Sequence, residues 1–120
     1  MDTAGYQYYS KSLKTKEMLG DLLKKMQEAK KEVEAAKKRL EEVYIEEESD
    51  DNIIRVVVTG NKRIAEIHID TDFLARADKS LIEDMTIINI NKALDKADKI
   101  YEEEMKKAAK GLLPGIPGLF

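Results

Sequence analysis

The sequence predicts an α+β fold in which two long helices flank a three-stranded antiparallel sheet. Apolar residues recur at alternating steps of three and four between positions 19 and 43, which indicates a helix. Between positions 43 and 69 they tend to alternate with polar residues, which indicates strands, and the helical period returns after position 80. The predicted order of elements is therefore α–β–β–β–α.

The chain length and composition restrict the class of protein. A chain of 120 residues fits one domain with a modest core, so we expect oligomerisation. It has no cysteine, which excludes disulfides and thiolate metal sites. No apolar run approaches the ~18 residues that cross a bilayer, and the N-terminus has no apolar signal segment. We expect a cytoplasmic protein without membrane contact.

The first predicted helix carries a heptad repeat. Its apolar positions, a and d in turn, are Leu19, Leu22, Met26, Ala29, Val33, Ala36, Leu40 and Val43. A strict repeat of seven predicts a narrow coiled-coil seam against one partner helix, either in the same chain or in a second copy. The segment would be ~37 Å long, so part of it should project from a compact domain.

Charge is divided along the chain and around this helix. The net charge is −3, yet residues 10–43 hold ten Lys/Arg against seven Asp/Glu. Basic residues fill most of positions e, f and g, and acidic residues lie mainly at b and c. The basic set is Lys24, Lys25, Lys30, Lys31, Lys37, Lys38 and Arg39. A solvated face supported by pairs such as Lys24 with Glu28 and Glu34 with Lys38 is the ordinary interpretation. Segregation by sign favours a surface for a polyanion instead.

Three strands should follow, with a turn at residues 49–52 and a hairpin at Gly60-Asn61, where we expect positive φ. Period-two alternation places Ile54, Val56 and Val58 on one face of the sheet. It groups Ala65 with Ile67 and Ile69, and it puts Val57 and Ile64 on the second face, which a second subunit would cover.

The last helix should open with a capping box at Ser80-Leu81-Ile82-Glu83, after a connector at residues 70–80. Its predicted seam is Ile87, Ile90, Leu94, Ala97, Tyr101, Met105, Ala108 and Leu112, widened by a second stripe of Leu81, Met85 and Ile88. Gly111 should end the helix, because Pro114 and Pro117 prevent its continuation. The uncharged stretch "GLLPGIPGLF" would then form an apolar tail at residues 111–120.

The sequence contains few residues that could support catalysis. The single histidine, His68, lies in a strand and is interpreted as a structural or surface residue. Asp70 and Asp72 lack the remaining positions of a calcium loop, and the acidic run at residues 46–51 is interpreted as protection of a strand edge. There is no phosphate-binding loop and no nucleophile with a base at a familiar spacing. We therefore predict no enzyme activity, no cofactor and no metal site.

Three quoted segments, in this order, resemble the YbaB/EbfC family of bacterial nucleoid-associated proteins. They are "LLKKMQEAKKEVEAAKKRLEEV", "AEIHID" with the following "LIEDM", and the closing "PGIPGLF". The similarity covers residues 18–120. The chain has "EEESDDN" where members often have a glycine-rich turn, and residues 1–17 have no counterpart. We divide the chain into an extension at 1–17, expected to be flexible, one domain at 18–110 and the tail at 111–120.

The resemblance implies a homodimer with projecting helices that binds double-stranded DNA with little sequence preference and is located in the nucleoid. It also implies that the lysine-rich helical surface, Lys24 to Arg39, contacts the DNA. A protein-interaction scaffold is the alternative, in which the heptad seam and the tail dock a protein partner and the lysines only keep the chain soluble.

Overall fold

The computed structural model describes residues 3–110, with side chains described from residue 14. Three helices and three strands lie in the order α1 (Thr3–Leu40), β1 (Tyr44–Glu48), β2 (Ile54–Thr59), β3 (Ile64–Ile69), α2 (Thr71–Arg76) and α3 (Lys79–Lys110). The molecule is elongated, with extents of 95 × 22 × 17 Å. The prediction of a three-stranded sheet with two long helices is confirmed. The proposed apolar tail lies outside the described residues.

The core forms where α3 crosses the sheet. Ile54, Val56 and Val58 of β2 are fully buried, as their alternation predicts, and they pack with Ala93 and Ala97 of α3. The small side chains of these alanines let the helix approach the sheet closely. Because α3 packs on β1 and β2, the core has little contribution from β3, whose residues are mostly exposed.

The sheet has the order β1-β2-β3 with both pairs antiparallel. An irregularity at Val57/Val58 pairs Val58 with Ile64, although Val57 pairs with Glu66. One extra residue on β3 is therefore accommodated as a bulge. Ile64 consequently shares the face of Val58, and Ala65 lines a hollow with Val57 on the opposite face. The prediction for Ile64 and Ala65 was wrong, because strict alternation cannot anticipate a bulge.

The β2–β3 hairpin lies where the sequence predicts it, but its turn differs. Thr59 N donates to the Arg63 carbonyl at 2.7 Å, so the loop comprises residues 60–62. The positive φ falls on Lys62, at 68°, and not at Gly60-Asn61. Gly60 has a different role, because its N–H donates to the carbonyls of Leu40 and Val43 at 3.0 and 2.8 Å. The hairpin thereby satisfies the C-terminal end of α1.

Helix α1 is longer than the heptad pattern alone predicts, since it already begins at Thr3. Residues 3–17, assigned to an extension, continue this helix; whether they are flexible stays a prediction. Ala36 and Leu40 of α1 pack on Met105 of α3, flanked by Val33, Ile100, Tyr101 and Ala108. The partner of the heptad seam from Val33 to Leu40 is thus α3 of the same chain.

Two details of the predicted last helix were wrong. Helix α3 begins at Lys79, with the Asp78 carbonyl accepting from Ile82 N at 3.2 Å, so Ser80 is not the capping residue. Leu81, Ile87 and Ile88 are exposed, although the sequence assigns them to the apolar face of this helix. The connector contains the short helix α2, capped by Asp70, whose Oδ2 accepts from Phe73 N at 3.0 Å.

Candidate nucleic-acid interface

The basic side chains of α1 are arranged around a helix that touches α3 on one side only. A residue turns the helix by about 100°, so Lys24, Lys31 and Lys38 lie roughly opposite the seam of Ala29, Val33, Ala36 and Leu40. Lys30 and Lys37 flank one side of the seam, and Lys25 and Arg39 flank the other. The structure therefore aligns three of the seven predicted side chains in one outward row, and it distributes the other four over both flanks.

These side chains are accessible to a ligand. All of them are exposed except Lys37, which is half-buried. Lys24 and Lys25 lie N-terminal to Ala29, on the half of α1 that extends beyond α3 (Lys110), whereas Lys37, Lys38 and Arg39 lie on the half braced by α3. The row is thus carried partly by a single helix and partly by a helix pair.

The basic set is almost free of internal ion pairs. Of these seven side chains, only that of Lys37 has a carboxylate of a described residue within 4.0 Å, namely Glu34 at 3.7 Å. Neither Lys24–Glu28 nor Glu34–Lys38 forms, so the pairs of the ordinary interpretation are missing. Between residues 44 and 110, five of the eleven basic residues are paired, namely Arg55, Lys62, Lys79, Lys96 and Lys107. The basic side chains of α1 are therefore less neutralised than those of the sheet and α3.

The acidic residues that the sequence assigns to a strand edge serve partly as internal partners. Glu47 of β1 pairs with Lys96 of α3, which fixes the helix on the sheet. Glu46 accepts from Arg55 Nη1 at 2.6 Å, and this hydrogen bond raises the pKa of Arg55 above its ordinary value. His68, half-exposed, lies 3.4 Å from Glu66 on the same face of the sheet. These contacts account for charged groups that could otherwise suggest a site.

The structure adds two groups of basic residues that sequence reasoning did not select. Lys62, at the tip of the hairpin, lies in a cleft with Lys37 and Lys38. However, its Nζ already forms an ion pair with Asp98 Oδ1 at 3.2 Å and lies 4.4 Å from the centroid of the Tyr101 ring. Only the docking of the hairpin on α1 brings it there, so the sequence holds no signal for it. Lys92, Lys99 and Lys106 form a second exposed, unpaired row on α3 within the described residues, and their spacing of seven was visible in the sequence.

Metal-binding clusters and membrane-spanning helices are both absent from the part of the chain that the structure describes. Among the described residues, no three histidine or carboxylate side chains are grouped to hold a metal ion. No helix within residues 3–110 is both long and apolar enough to cross a bilayer.

An elongated α+β chain that presents unpaired lysines on a long helix is typical of a small polyanion-binding protein. Comparison with known proteins narrows this class. The profile of the YbaB/EbfC DNA-binding family matches residues 15–112. The chain belongs to this family, which is a family of DNA-binding proteins and not a known enzyme family.

Several bacterial relatives support the assignment. A nucleoid-associated protein of Flavobacterium johnsoniae is 35% identical over 98 residues, covering 82% of this chain and 91% of that protein. A nucleoid-associated protein of Ruminiclostridium cellulolyticum is 35% identical over 102 residues, covering 85% and 88%. A third, from Acetivibrio thermocellus, is 33% identical over 102 residues, covering 85% and 89%. The chain thus aligns with nearly the full length of each.

Proposed function

We propose that this protein is a non-enzymatic homodimer that binds double-stranded DNA with little sequence preference and acts in the nucleoid, within the cytoplasm. The DNA-binding side chains are Lys24, Lys25, Lys30, Lys31, Lys37, Lys38 and Arg39. The observation that carries the proposal is that these side chains are accessible while six of the seven have no carboxylate partner among the described residues. The family description and the names of the relatives support DNA as the polyanion.

Unpaired ammonium groups suit phosphate binding for a thermodynamic reason. A lysine that already has an internal partner must break that ion pair before it neutralises a phosphate, whereas an unpaired lysine needs no such exchange. Each phosphate neutralised releases counterions and contributes roughly −0.9 to the slope of log K against log salt concentration. With about eight contacts in a dimer, raising the salt from ~50 to ~200 mM should weaken binding by about four decades.

The low sequence preference follows from the kind of side chain. Six of the seven are lysines, which contact phosphates as point charges, and base reading relies more on bidentate side chains such as Arg, Asn and Gln. The described tyrosines, Tyr44 and Tyr101, lie at β1 and in the α1–α3 seam, away from the outward row. The surface therefore offers phosphate contacts and no evident stacking platform.

Uncovered apolar surface supports the homodimer. Leu81, Ile87 and Ile88 of α3 are about half exposed, as are Ile64 and Ile67 of β3. Ile64 and Ile67 pair with Val58 and Val56, so they lie on the α3 side of the sheet, in the part that α3 leaves uncovered. Apolar surface of this extent in so small a chain is typical of a protein interface.

The test compares two triple variants in gel-shift titrations on duplex DNA at ~50 and ~200 mM salt. We expect Lys24→Glu, Lys31→Glu and Lys38→Glu together to abolish binding and to flatten the salt dependence of what remains. The matched control is Lys92→Glu, Lys99→Glu and Lys106→Glu, with the same spacing and the same change of charge on α3. We expect this control to retain most of the affinity.

Other outcomes would contradict the proposal. If the wild-type protein fails to bind duplex DNA at ~50 mM salt, the scaffold alternative replaces it. If both triple variants lose affinity equally, net charge and not the α1 surface governs binding. The scaffold alternative has less seam to use than the sequence predicts, because α3 already covers α1 from Val33 to Leu40.

A further inference from the structure

An apolar stripe on α1 has no partner among the described residues. Met18, Leu19, Leu22, Leu23 and Met26 are 72, 55, 45, 60 and 52% exposed. At about 100° per residue, Leu22 points in the same direction as Leu40, and the other four lie within ~100° of it. The stripe therefore continues the seam that α3 covers further along the helix.

The covered part of the seam ends where α3 ends. Ala29 of α1 and Ala109 of α3 are both buried, at 6 and 3% exposure. The hairpin that contacts Leu40 through Gly60 also contacts Asp98 and Tyr101 of α3 through Lys62. The C-terminal end of α1 therefore lies beside the earlier part of the α3 seam, and the two helices run antiparallel. Between residues 14 and 28, no element that the structure describes packs on the apolar side of α1.

We infer that residues 111–120 of the same chain fold back along α1 and cover this stripe. The segment starts at Lys110, at the place where the uncovered stripe begins. It carries Leu112, Leu113, Ile116, Leu119 and Phe120 and has no charged side chain. The chain thus contains five large apolar groups that could match five apolar side chains without a partner among the described residues.

The dimensions fit. From Ala29 to Met18 the helix advances ~16 Å. Ten residues in an extended, proline-rich conformation span ~31 Å at most, so the segment reaches Met18 with length to spare. Pro114 and Pro117 limit its conformations in the unbound state, which reduces the entropy lost on docking.

A second copy of α1 fits the stripe less well. Two α1 helices in a parallel coiled coil would bring Lys25 at position g near Lys30 at position e of the partner, and these like charges repel. The attractive pair of the next heptad, Glu32 with Lys37, lies on the part of α1 that α3 already covers. The tail brings no cation to this surface. The tail of the same chain is therefore favoured over a helix of another molecule.

Engineered cysteines provide a direct test in the full-length chain, because it contains no natural cysteine. Leu22→Cys is combined with Gly118→Cys, which leaves all five apolar side chains of the tail in place. In the control, Gly20→Cys replaces Leu22→Cys; Gly20 lies two residues away on the opposite side of α1, with open space around it. Disulfide formation under mild oxidation is followed on non-reducing gels and by mass spectrometry of peptides.

We expect the disulfide within one chain to form at least about tenfold faster in the variant with Leu22→Cys than in the control with Gly20→Cys, because docking raises the local thiol concentration on one side of the helix. Equal rates would overturn the inference. So would a crosslink in a mixture of singly substituted Leu22→Cys and Gly118→Cys chains, since the tail would then dock on a second copy.

Hydrogen exchange gives a second measurement that needs no cysteine. Deletion of residues 114–120 should accelerate amide exchange in residues 18–28 of α1 and leave residues 33–40, which α3 covers, unchanged. Unaltered exchange in residues 18–28 would overturn the inference, as would equal acceleration along all of α1.

Discussion

Gly60 shows how one missing side chain permits a tertiary contact. A Cβ at this position would lie 2.8 Å from Leu40 Cδ2 and 2.9 Å from the Leu40 carbonyl oxygen. The carbonyl cannot move away easily, because it belongs to the last turn of α1 and accepts from the Gly60 N–H. The hairpin therefore requires glycine for close approach to α1.

We expect Gly60→Ala to lower the free energy of unfolding by about 1–3 kcal/mol, the usual cost of forcing an extra carbon into a packed site. Urea denaturation at fixed protein concentration measures the change. The matched control is Gly20→Ala, in the exposed part of α1 with nothing within 4 Å of the added Cβ. It should raise helix stability by up to ~1 kcal/mol. A loss of stability in both variants would show that the effect at Gly60 is not one of close approach.

The sequence identified the importance of Gly60 but assigned it the wrong reason. A Gly-Asn pair between two strands usually indicates a two-residue turn with positive φ. The loop has three residues instead, and the positive φ falls on Lys62. The close approach to Leu40 depends on how α1 ends beside the hairpin, which no local pattern reports.

At the scale of elements, the contact between α1 and α3 depends on small residues. Ala36 is 1% exposed and packs among Leu40 and Met105, whereas its neighbour Ala35 faces the open cleft. A larger side chain at position 36 must separate the helices, but at position 35 it can extend into solvent. Substitution of Ala36 therefore tests the packing between the helices, and the same substitution at Ala35 is its control.

We expect Ala36→Leu to lower the free energy of unfolding by about 1–3 kcal/mol through overpacking, and Ala35→Leu to change it by less than ~0.5 kcal/mol. Thermal and urea unfolding, monitored by circular dichroism, measure both changes. Equal effects would contradict a packed seam at Ala36.

The existence of the long elements was predictable, and their local irregularities were not. The heptad from Leu19 and the alternation of Ile54, Val56 and Val58 are long, regular signals that packing preserves. The bulge beside Val58 and the exposure of Ile87 and Ile88 depend on how α3 lies across the sheet. Helix α2 is six residues long, too short for a hydrophobic period, and only its cap, Asp70, signals it.

At the scale of the molecule, the apolar surface around Ile88 predicts self-association. Ile88 is 53% exposed, so a charge there should spare the fold of one chain but oppose burial in an interface. We expect Ile88→Asp to weaken the dimer at least about tenfold, which corresponds to ~1.4 kcal/mol. Sedimentation velocity over a range of concentrations measures this.

The control is Lys106→Gln, which changes the net charge by the same amount at an exposed position on the same helix, about five turns from Ile88. It should leave the association constant nearly unchanged. A monomeric wild-type protein, or equal weakening by both substitutions, would contradict the proposed interface.

The residues of the candidate site were predictable from the sequence, but their distribution around α1 was not. The seven basic residues of α1 stand out by sign and spacing, and the structure leaves six of them without a carboxylate partner among the described residues. Their distribution around the helix became clear only when α3 was placed against the seam, because that contact defines which side of α1 faces outward. The second row, at Lys92, Lys99 and Lys106, shows that spacing alone does not single out one binding surface.

The projecting half of α1 links helix formation to ligand affinity. Between Met18 and Glu28 every residue is exposed, and an isolated helix of this length is marginally stable in water. In chains whose residues 111–120 are undocked, part of the free energy gained when Lys24 and Lys25 meet phosphates therefore goes into ordering their backbone as a helix, whereas Lys37 and Lys38 lie on a segment that α3 already keeps folded. The two groups of cations thus differ in preorganisation although their chemistry is the same, and warming should diminish the contribution of the first group sooner than that of the second.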